Sequence, residues 1–349
     1  MSPGIAHPTA DSPAAVAQPA ARRVLAQMLV GNQVQQAIHV AAKLGIADLL
    51  REGPRPSEEL AAATGAHPQA LYRLLRVLAS FGIFTESEQR CFALTPLAAL
   101  LQVDAPGSMR ALALWSGGVS YRTFGALEHS VRTGEPAFEE IFGTEFFAFL
   151  ASDPEAGACF DDLMAWNTAP VAEVLARYDF SGVETIVDVG GGRGIMLAAI
   201  LSAHPDMRGV LADHPRVLAS SKSVLEAAGV ADRCETVGTD ILQQVPQSGD
   251  AYILKSIVHG LDDDEAARLL TRCREAMRPG GRLLLVELEL RPGNDPCPAK
   301  LMDLLMLVGC HGRERTEEDY RALLAATGFS FFQSMTTRYG YSVIEGRAV

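Results

Sequence analysis

Between Thr185 and Met196 the chain reads TIVDVGGGRGIM, and no other stretch restricts its possible folds as much. Thr185 to Val189 is a β-branched apolar run, and Ile195 to Ala203 has the Ala/Leu/Ile content of a helix. The glycines between them therefore predict a strand-to-helix turn. Glycine suits such a turn because it accepts positive φ and lets a ligand approach the backbone, while the helix that follows offers unpaired N–H groups. A nucleotide or a carboxylate fits there. The dinucleotide fingerprint G-x-G-x-x-G, started at Gly190 and Gly192, needs glycine where Ile195 stands, which weakens an NAD reading. What stands instead is Asp188-x-Gly190-x-Gly192-x-Gly194, followed by a second apolar run, Gly209 to Ala212, that ends in Asp213. An acid at that place can accept both hydroxyls of a ribose. A plain glycine turn with a capping or surface aspartate would use the same residues, so the motif needs its context.

That context is a regular alternation. Strand patterns at Ile186 to Val189, Val210 to Asp213, Cys234 to Val237, Ala251 to Ile257 and Leu283 to Glu287 are separated by helical stretches, the βαβ rhythm of a doubly wound parallel sheet. Phe329 to Met335 and Tyr341 to Ile344 follow with only a turn between, which predicts an antiparallel hairpin at the C-terminal edge. Asp262 with Glu265, and Thr316 with Asp319, carry helix-start signals.

The N-terminal part is different. Residues 1–21 are rich in Pro, Ala and Ser with no basic start or apolar core, which predicts a disordered tail and not a signal peptide. Residues 22–103 read as helices with breaks at Gly53-Pro54 and Gly65, then a helix from Pro68 to Ser80 and an extended pair from Gly82 to Thr95, a winged-helix-like pattern. Residues 104–178 read as a helical linker with aromatic punctuation, and 179–349 as the α/β domain. A DNA-reading role for the wing finds little support. The would-be recognition helix is apolar apart from Arg73 and Arg76, and a net charge of -12 disfavours nucleic acid and anionic membranes alike. The apolar faces from Val24 to Ala47 and Leu71 to Leu78 predict partner-helix packing, hence a homodimer. No apolar run reaches the roughly 18 to 20 residues of a membrane helix, and the six cysteines show no metal or C-x-x-C spacing. The expected compartment is the cytoplasm, with no structural metal.

Together these segments resemble the S-adenosylmethionine-dependent small-molecule O-methyltransferases, the family of plant caffeic acid methyltransferases and actinobacterial antibiotic-tailoring enzymes. The resemblance runs from about Arg23 to the C-terminus through LGIADLL, LYRLLRVLASFGIF, VRTGEPAF, YDFSGVETIVDVGGGRG, DAYILKSIVH, LLLVE and GRERTEEDYRALLAATGF. It implies a class I methyltransferase (Rossmann-like) domain behind a dimerisation domain, and S-adenosylmethionine as cofactor. In that cofactor site Gly190 and Gly192 would take the methionine end, Asp213 the ribose, Asp240 the adenine amino group and Ile241 the adenine face, with Lys255 alongside.

The resemblance also makes His259 the general base, held by Glu287 and Glu314, and has Phe160, Met164, Asn167 and Met306 line the pocket for a small aromatic acceptor. The chemistry explains the residue types. A phenol with pKa near about 10 is mostly protonated at neutral pH, so an imidazole can remove its proton as the new bond forms, and a carboxylate on the far ring nitrogen fixes the tautomer. No metal is required. Each of these residues also has an ordinary reading: Lys255 as a snorkelling strand-end lysine, Glu314 as an ion-pair partner of Arg313 or Arg315, and the acceptor-pocket residues as helix core.

Four positions depart from the family pattern. His259-Gly260-Leu261 lacks the usual acid after the histidine, His214 stands for a leucine, Thr239 replaces a glycine, and His311 interrupts a Gly-Gly. The departures leave open a relative with other chemistry, hydroxylation or decarboxylation, and a ligand-binding winged-helix regulator is the alternative outside the enzymes.

Overall fold

The structure, a computed structural model, describes residues 13–349. Two compact units divide the chain, one through Gly118 and one from Val119.

In the first unit the helix Pro68–Ser80 begins with proline at its first turn and buries Leu71, Leu75 and Leu78, one stripe at helical spacing. That stripe meets Ile46, Leu50 and Leu60 and the inner residues Phe84 and Phe92 of a small sheet. The sheet consists of β1 (Arg55–Pro56), β2 (Phe84–Ser87) and β3 (Cys91–Leu94) in the order β1-β3-β2, all antiparallel. The extended pair read from sequence is thus a real wing, with a third, two-residue strand that the Gly53-Pro54 break had hidden. Residues 1–12 of the expected tail lie outside the described residues. From Pro13 the segment is helical, as Pro13–Leu29, its alanines carrying high helix propensity. On that helix and just after it, Val24, Leu25, Met28, Leu29 and Val30 are exposed.

The second unit is built on a seven-stranded sheet of β4 (Thr185–Val189), β5 (Arg208–Asp213), β6 (Cys234–Gly238), β7 (Ala251–Lys255), β8 (Arg282–Leu288), β9 (Phe329–Thr336) and β10 (Tyr341–Ala348). Its order is β6-β5-β4-β7-β8-β10-β9, parallel through β8 and antiparallel thereafter. The terminal hairpin enters with its second strand first, so β10 pairs with β8 and β9 forms the edge. The central strands are mostly apolar because both faces are covered, the exceptions being polar residues such as Asp188 and Glu287. Ile186, Ile253 and Leu284 pack with Val171, Leu175, Leu197 and Leu201 on one side. Val187, Tyr252 and Leu285 pack with Leu269, Leu270, Tyr320 and Leu324 on the other.

The chain leaves β4 toward β5 and β6, then returns to place β7 on the opposite side of β4. This reversal opens a crevice at the carboxyl ends of the parallel strands, where open α/β sheets bind ligands. Among the described residues no helix is long and apolar enough to cross a membrane.

Candidate active site

The glycine turn occupies that crevice. Gly190, Gly192 and Gly194 have φ of 71°, 61° and 77°, a region L side chains rarely adopt. A side chain at Gly190 would also collide with Ile257, and one at Gly191 would lie 2.5 Å from the Asp188 carboxyl carbon and from Leu211. The Gly190 N–H donates to Ala212 O at 2.8 Å, tying the turn to β5. Asp213, at the end of β5, accepts from Gly192 N–H at 2.8 Å and from His214 N–H at 2.6 Å. Burial raises its pKa, and those two hydrogen bonds partly oppose the rise.

Asp188, which sequence reading left out of the binding set, is the least satisfied group in the crevice. It is fully buried, and neither carboxyl oxygen has a hydrogen-bond partner. Burial, with the charge of Asp213 added, pushes its pKa up to about 8, while Lys255 pulls it down. A buried carboxyl without a partner is costly, and a ligand ammonium would relieve it. Together, an orphaned acid, a backbone cradle that any side chain would fill and a second acid one strand over fit an aminoacyl-nucleoside such as S-adenosylmethionine.

The other expected cofactor residues are placed unequally. Ile241 is half-buried, with its side chain beside Gly190. Asp240 is exposed, and one of its oxygens accepts from Leu242 N–H at 2.9 Å. Lys255 points inward: its Nζ donates to Ser256 Oγ at 3.1 Å and stands 4.9 Å from the centre of the Tyr341 ring. The chain then leaves β7 through Ser256, whose φ of 53° is strained for a serine.

Beyond Ser256 comes the turn Val258–Gly260. His259 Nδ1 lies 2.7 Å from Glu314 Oε1. A carboxylate only accepts, so Nδ1 carries the proton, and in the neutral ring Nε2 keeps a lone pair. Burial works against a charged imidazole, but the charge of Glu287 and the hydrogen bond and charge of Glu314 outweigh it, and the His259 pKa is raised. Glu287, at the end of β8, makes no hydrogen bond to the ring. It accepts from the N–H groups of Ile257 and Val258 at 3.1 and 2.9 Å, bracing the turn and acting on the imidazole through its charge. Burial takes its own pKa up to about 7.

Phe160, Met164 and Asn167 share one face of the helix Pro154–Leu175, at helical spacing, and all three are half-buried. Asn167 Nδ2 donates to the Tyr341 hydroxyl at 2.7 Å, a partner that sequence reading missed because it comes from the distant β10. Two consecutive acids pin this helix to the cofactor loops. Asp161 takes both terminal nitrogens of Arg216 at 2.8 and 3.2 Å, and Asp162 meets Arg193, within the glycine turn, at 2.6 Å. Met306 is half-buried on Pro298–Gly309, one turn from Asp303, whose carboxylate accepts the Glu314 N–H at 2.9 Å. Among the described residues no group of three or more His, Cys, Asp or Glu could hold a metal ion.

Comparison with known proteins gives two family matches: an O-methyltransferase dimerisation domain over residues 26–104 and an O-methyltransferase domain over 124–330. The chain is similar to phenazine O-methyltransferase PhzM of Lysobacter antibioticus, 46% identical over 93% of this chain and 96% of that protein. The crystal structure of LaPhzM superposes with a TM-score of 0.91 at 46% identity, covering 94% of this chain and 99% of the other. The O-methyltransferase NcsB1 from neocarzinostatin biosynthesis, in complex with S-adenosylmethionine and 2-hydroxy-5-methyl naphthoic acid, superposes with a TM-score of 0.80. It is 33% identical, over 90% of this chain and 96% of that one.

Proposed function

The chain belongs to the O-methyltransferase family as an S-adenosylmethionine-dependent enzyme, and from that premise we propose that it methylates a hydroxyl on a fused-ring aromatic metabolite of the phenazine or naphthoate kind. Bound S-adenosylmethionine supplies an electrophilic methyl group on a positively charged sulfur. The chain's own residues do the rest. Gly190 and Gly192 offer backbone to the methionine end, with Asp188 facing its ammonium. Asp213 takes the ribose hydroxyls, Asp240 and Ile241 take the adenine, and Lys255 flanks the site. Phe160, Met164, Asn167 and Met306 wall the acceptor pocket.

His259 Nε2 accepts the acceptor's proton, and Glu314 on Nδ1 stabilises the imidazolium that results. The observation that carries this assignment is the 2.7 Å contact between His259 Nδ1 and Glu314, which leaves the opposite nitrogen as the acceptor. The two relatives above, one a phenazine O-methyltransferase and the other crystallised with a hydroxylated naphthoic acid, support the acceptor class. Incubation with methyl-labelled S-adenosylmethionine and a panel of hydroxyphenazines, hydroxynaphthoates and flavonoids tests it. Label on a ring oxygen of one of the first two classes is the expected result. Label on nitrogen, or a product hydroxylated or decarboxylated without label, would overturn it.

We also assign the N-terminal unit to homodimer formation, because Val24, Leu25, Met28 and Leu29 are left uncovered within one chain and the match to the family's dimerisation domain begins among them, at residue 26. The cytoplasm is the compartment we assign, supported by six cysteines that form no disulfide.

A further inference from the structure

The turn that carries His259 has glycine at position 260, a residue with no side chain to anchor it and the widest backbone freedom. Something outside the turn has to hold it. Glu287 covers its entry by taking the Ile257 and Val258 N–H groups. Its carbonyls are held from the opposite side by Arg315, a residue the reaction scheme above does not use.

Arg315 is only 1% exposed. Its Nη1 donates to Val258 O at 2.6 Å and its Nη2 to Leu261 O at 3.1 Å, the carbonyls on either side of His259-Gly260. The same guanidinium is braced from behind by Asp263, with Nη2 and Nε at 2.7 and 3.2 Å from Oδ1. Arg313 reaches Asp263 as well, at 3.2 and 3.3 Å, and fixes the brace. The backbone three residues earlier is just as close: a side chain at Gly312 would strike the His259 carbonyl and come within 2.6 Å of Gly260 C. Gly312 to Arg315 therefore moulds the turn, with Glu314 on the ring and Arg315 on the main chain.

We infer that Arg315, braced by Asp263, is a positioning residue for His259: it fixes the turn so that the imidazole keeps its Nδ1 contact with Glu314. This inference rests on His259 acting as the base, but its geometric content is separable from that role. A buried guanidinium is costly to desolvate and adds little to stability over an apolar side chain of similar size. Its five donors, spread over three nitrogens in a fixed plane, span two carbonyls and a carboxylate at once, whereas a lysine gathers its three donors on one nitrogen at the end of a flexible stem. A loosened turn displaces the imidazole, and a displacement of about 1 Å at a reacting group can cost about 10²-fold in rate.

The test uses the full chain carrying Arg315→Lys, Arg315→Met or Asp263→Asn. The first readout is the His259 ring signal in a nitrogen-15 NMR titration of the protein with S-adenosylhomocysteine, which needs no acceptor. The expected result is loss of the single Nδ1–H tautomer and a titration midpoint that falls from its raised value toward that of a free histidine, largest in Arg315→Met and smallest in Asp263→Asn. The second readout is steady-state methyl transfer to the hydroxyphenazine or hydroxynaphthoate that takes label. There kcat should fall by about 10- to 100-fold in Arg315→Lys, with acceptor KM changing less than about 3-fold.

A His259 signal unchanged in folded Arg315→Lys and Asp263→Asn would overturn the inference, whatever the activity. A changed signal beside a fully active His259→Gln would keep the positioning role and refute the base. Should Arg315→Met fail to fold, the other two variants decide.

Discussion

Replacing Glu314 with glutamine removes one charge from the catalytic cluster while keeping its shape. The carboxylate sits fully buried, 2.7 Å from His259 Nδ1, and its hydrogen bond and charge are among the influences that raise the imidazole's pKa. A hydrogen bond to a charged group contributes about 1.5 to 3 kcal/mol against about 0.5 to 1.5 for a neutral one, so the exchange removes roughly 1 to 2 kcal/mol of support for the imidazolium. That support matters in the transition state, where His259 is taking up a proton, and corresponds to a kcat about 5- to 30-fold lower. The sign of the pH effect follows too. A less basic imidazole is deprotonated at lower pH, so the ascending limb of kcat against pH should move down even as its plateau falls. Initial rates of label transfer to a weakly acidic phenol between pH 5 and 9, for wild type and Glu314→Gln, supply both numbers. A limb that stays in place or moves up, with an unchanged plateau, would show that the Glu314 charge does not support the imidazolium.

Asp188→Asn should have opposite effects on stability and binding. The folded pKa of Asp188 is raised to about 8, so its contribution to stability is complete at low pH and lost as pH rises toward that value. In the ligand-free protein the amide should therefore raise the melting temperature more at pH 8 than at pH 5, by the equivalent of a few kcal/mol, while calorimetry shows weaker S-adenosylhomocysteine binding. A melting gain independent of pH would contradict this. Asp213→Ala should cost on the order of 1 to 3 kcal/mol of cofactor affinity, and unchanged calorimetric affinity in a folded variant would remove Asp213 from the site. Sedimentation at micromolar concentration should give twice the 37.3 kDa chain mass, and an active monomer would contradict the dimer.

What could be read from the sequence, and what could not, divides by range. Whereas β6, with no buried residue, is legible mainly from its place in the strand–helix alternation, the inner strands β4, β5, β7 and β8 announce themselves because buried strands need apolar runs and turns need glycine, which are local demands. The glycine turn and Asp213 are legible for the same reason. Long-range pairings are not. Nothing near Asn167 points to Tyr341, and nothing near Asp161 points to Arg216, since β10 and the loop after β5 reach them only through the sheet's connectivity. Glu287 illustrates the limit: the resemblance placed it beside the histidine, but only the fold shows that it holds the backbone of Ile257 and Val258 and not the ring. Asp188 had a signal in its place within the glycine motif, yet whether an aspartate there is capped or orphaned depends on atoms from β5 and β7.

Removal of the acceptor proton by His259 is measured by methyl transfer in wild type and His259→Gln across a series of phenols of graded acidity. The variant should keep its fold and its S-adenosylhomocysteine affinity, lose about 10²- to 10⁴-fold in rate on weakly acidic phenols, and recover toward wild type as the acceptor becomes acidic enough to ionise unaided. Full activity of His259→Gln on a weakly acidic phenol would exclude His259 as the base and leave catalysis to positioning alone.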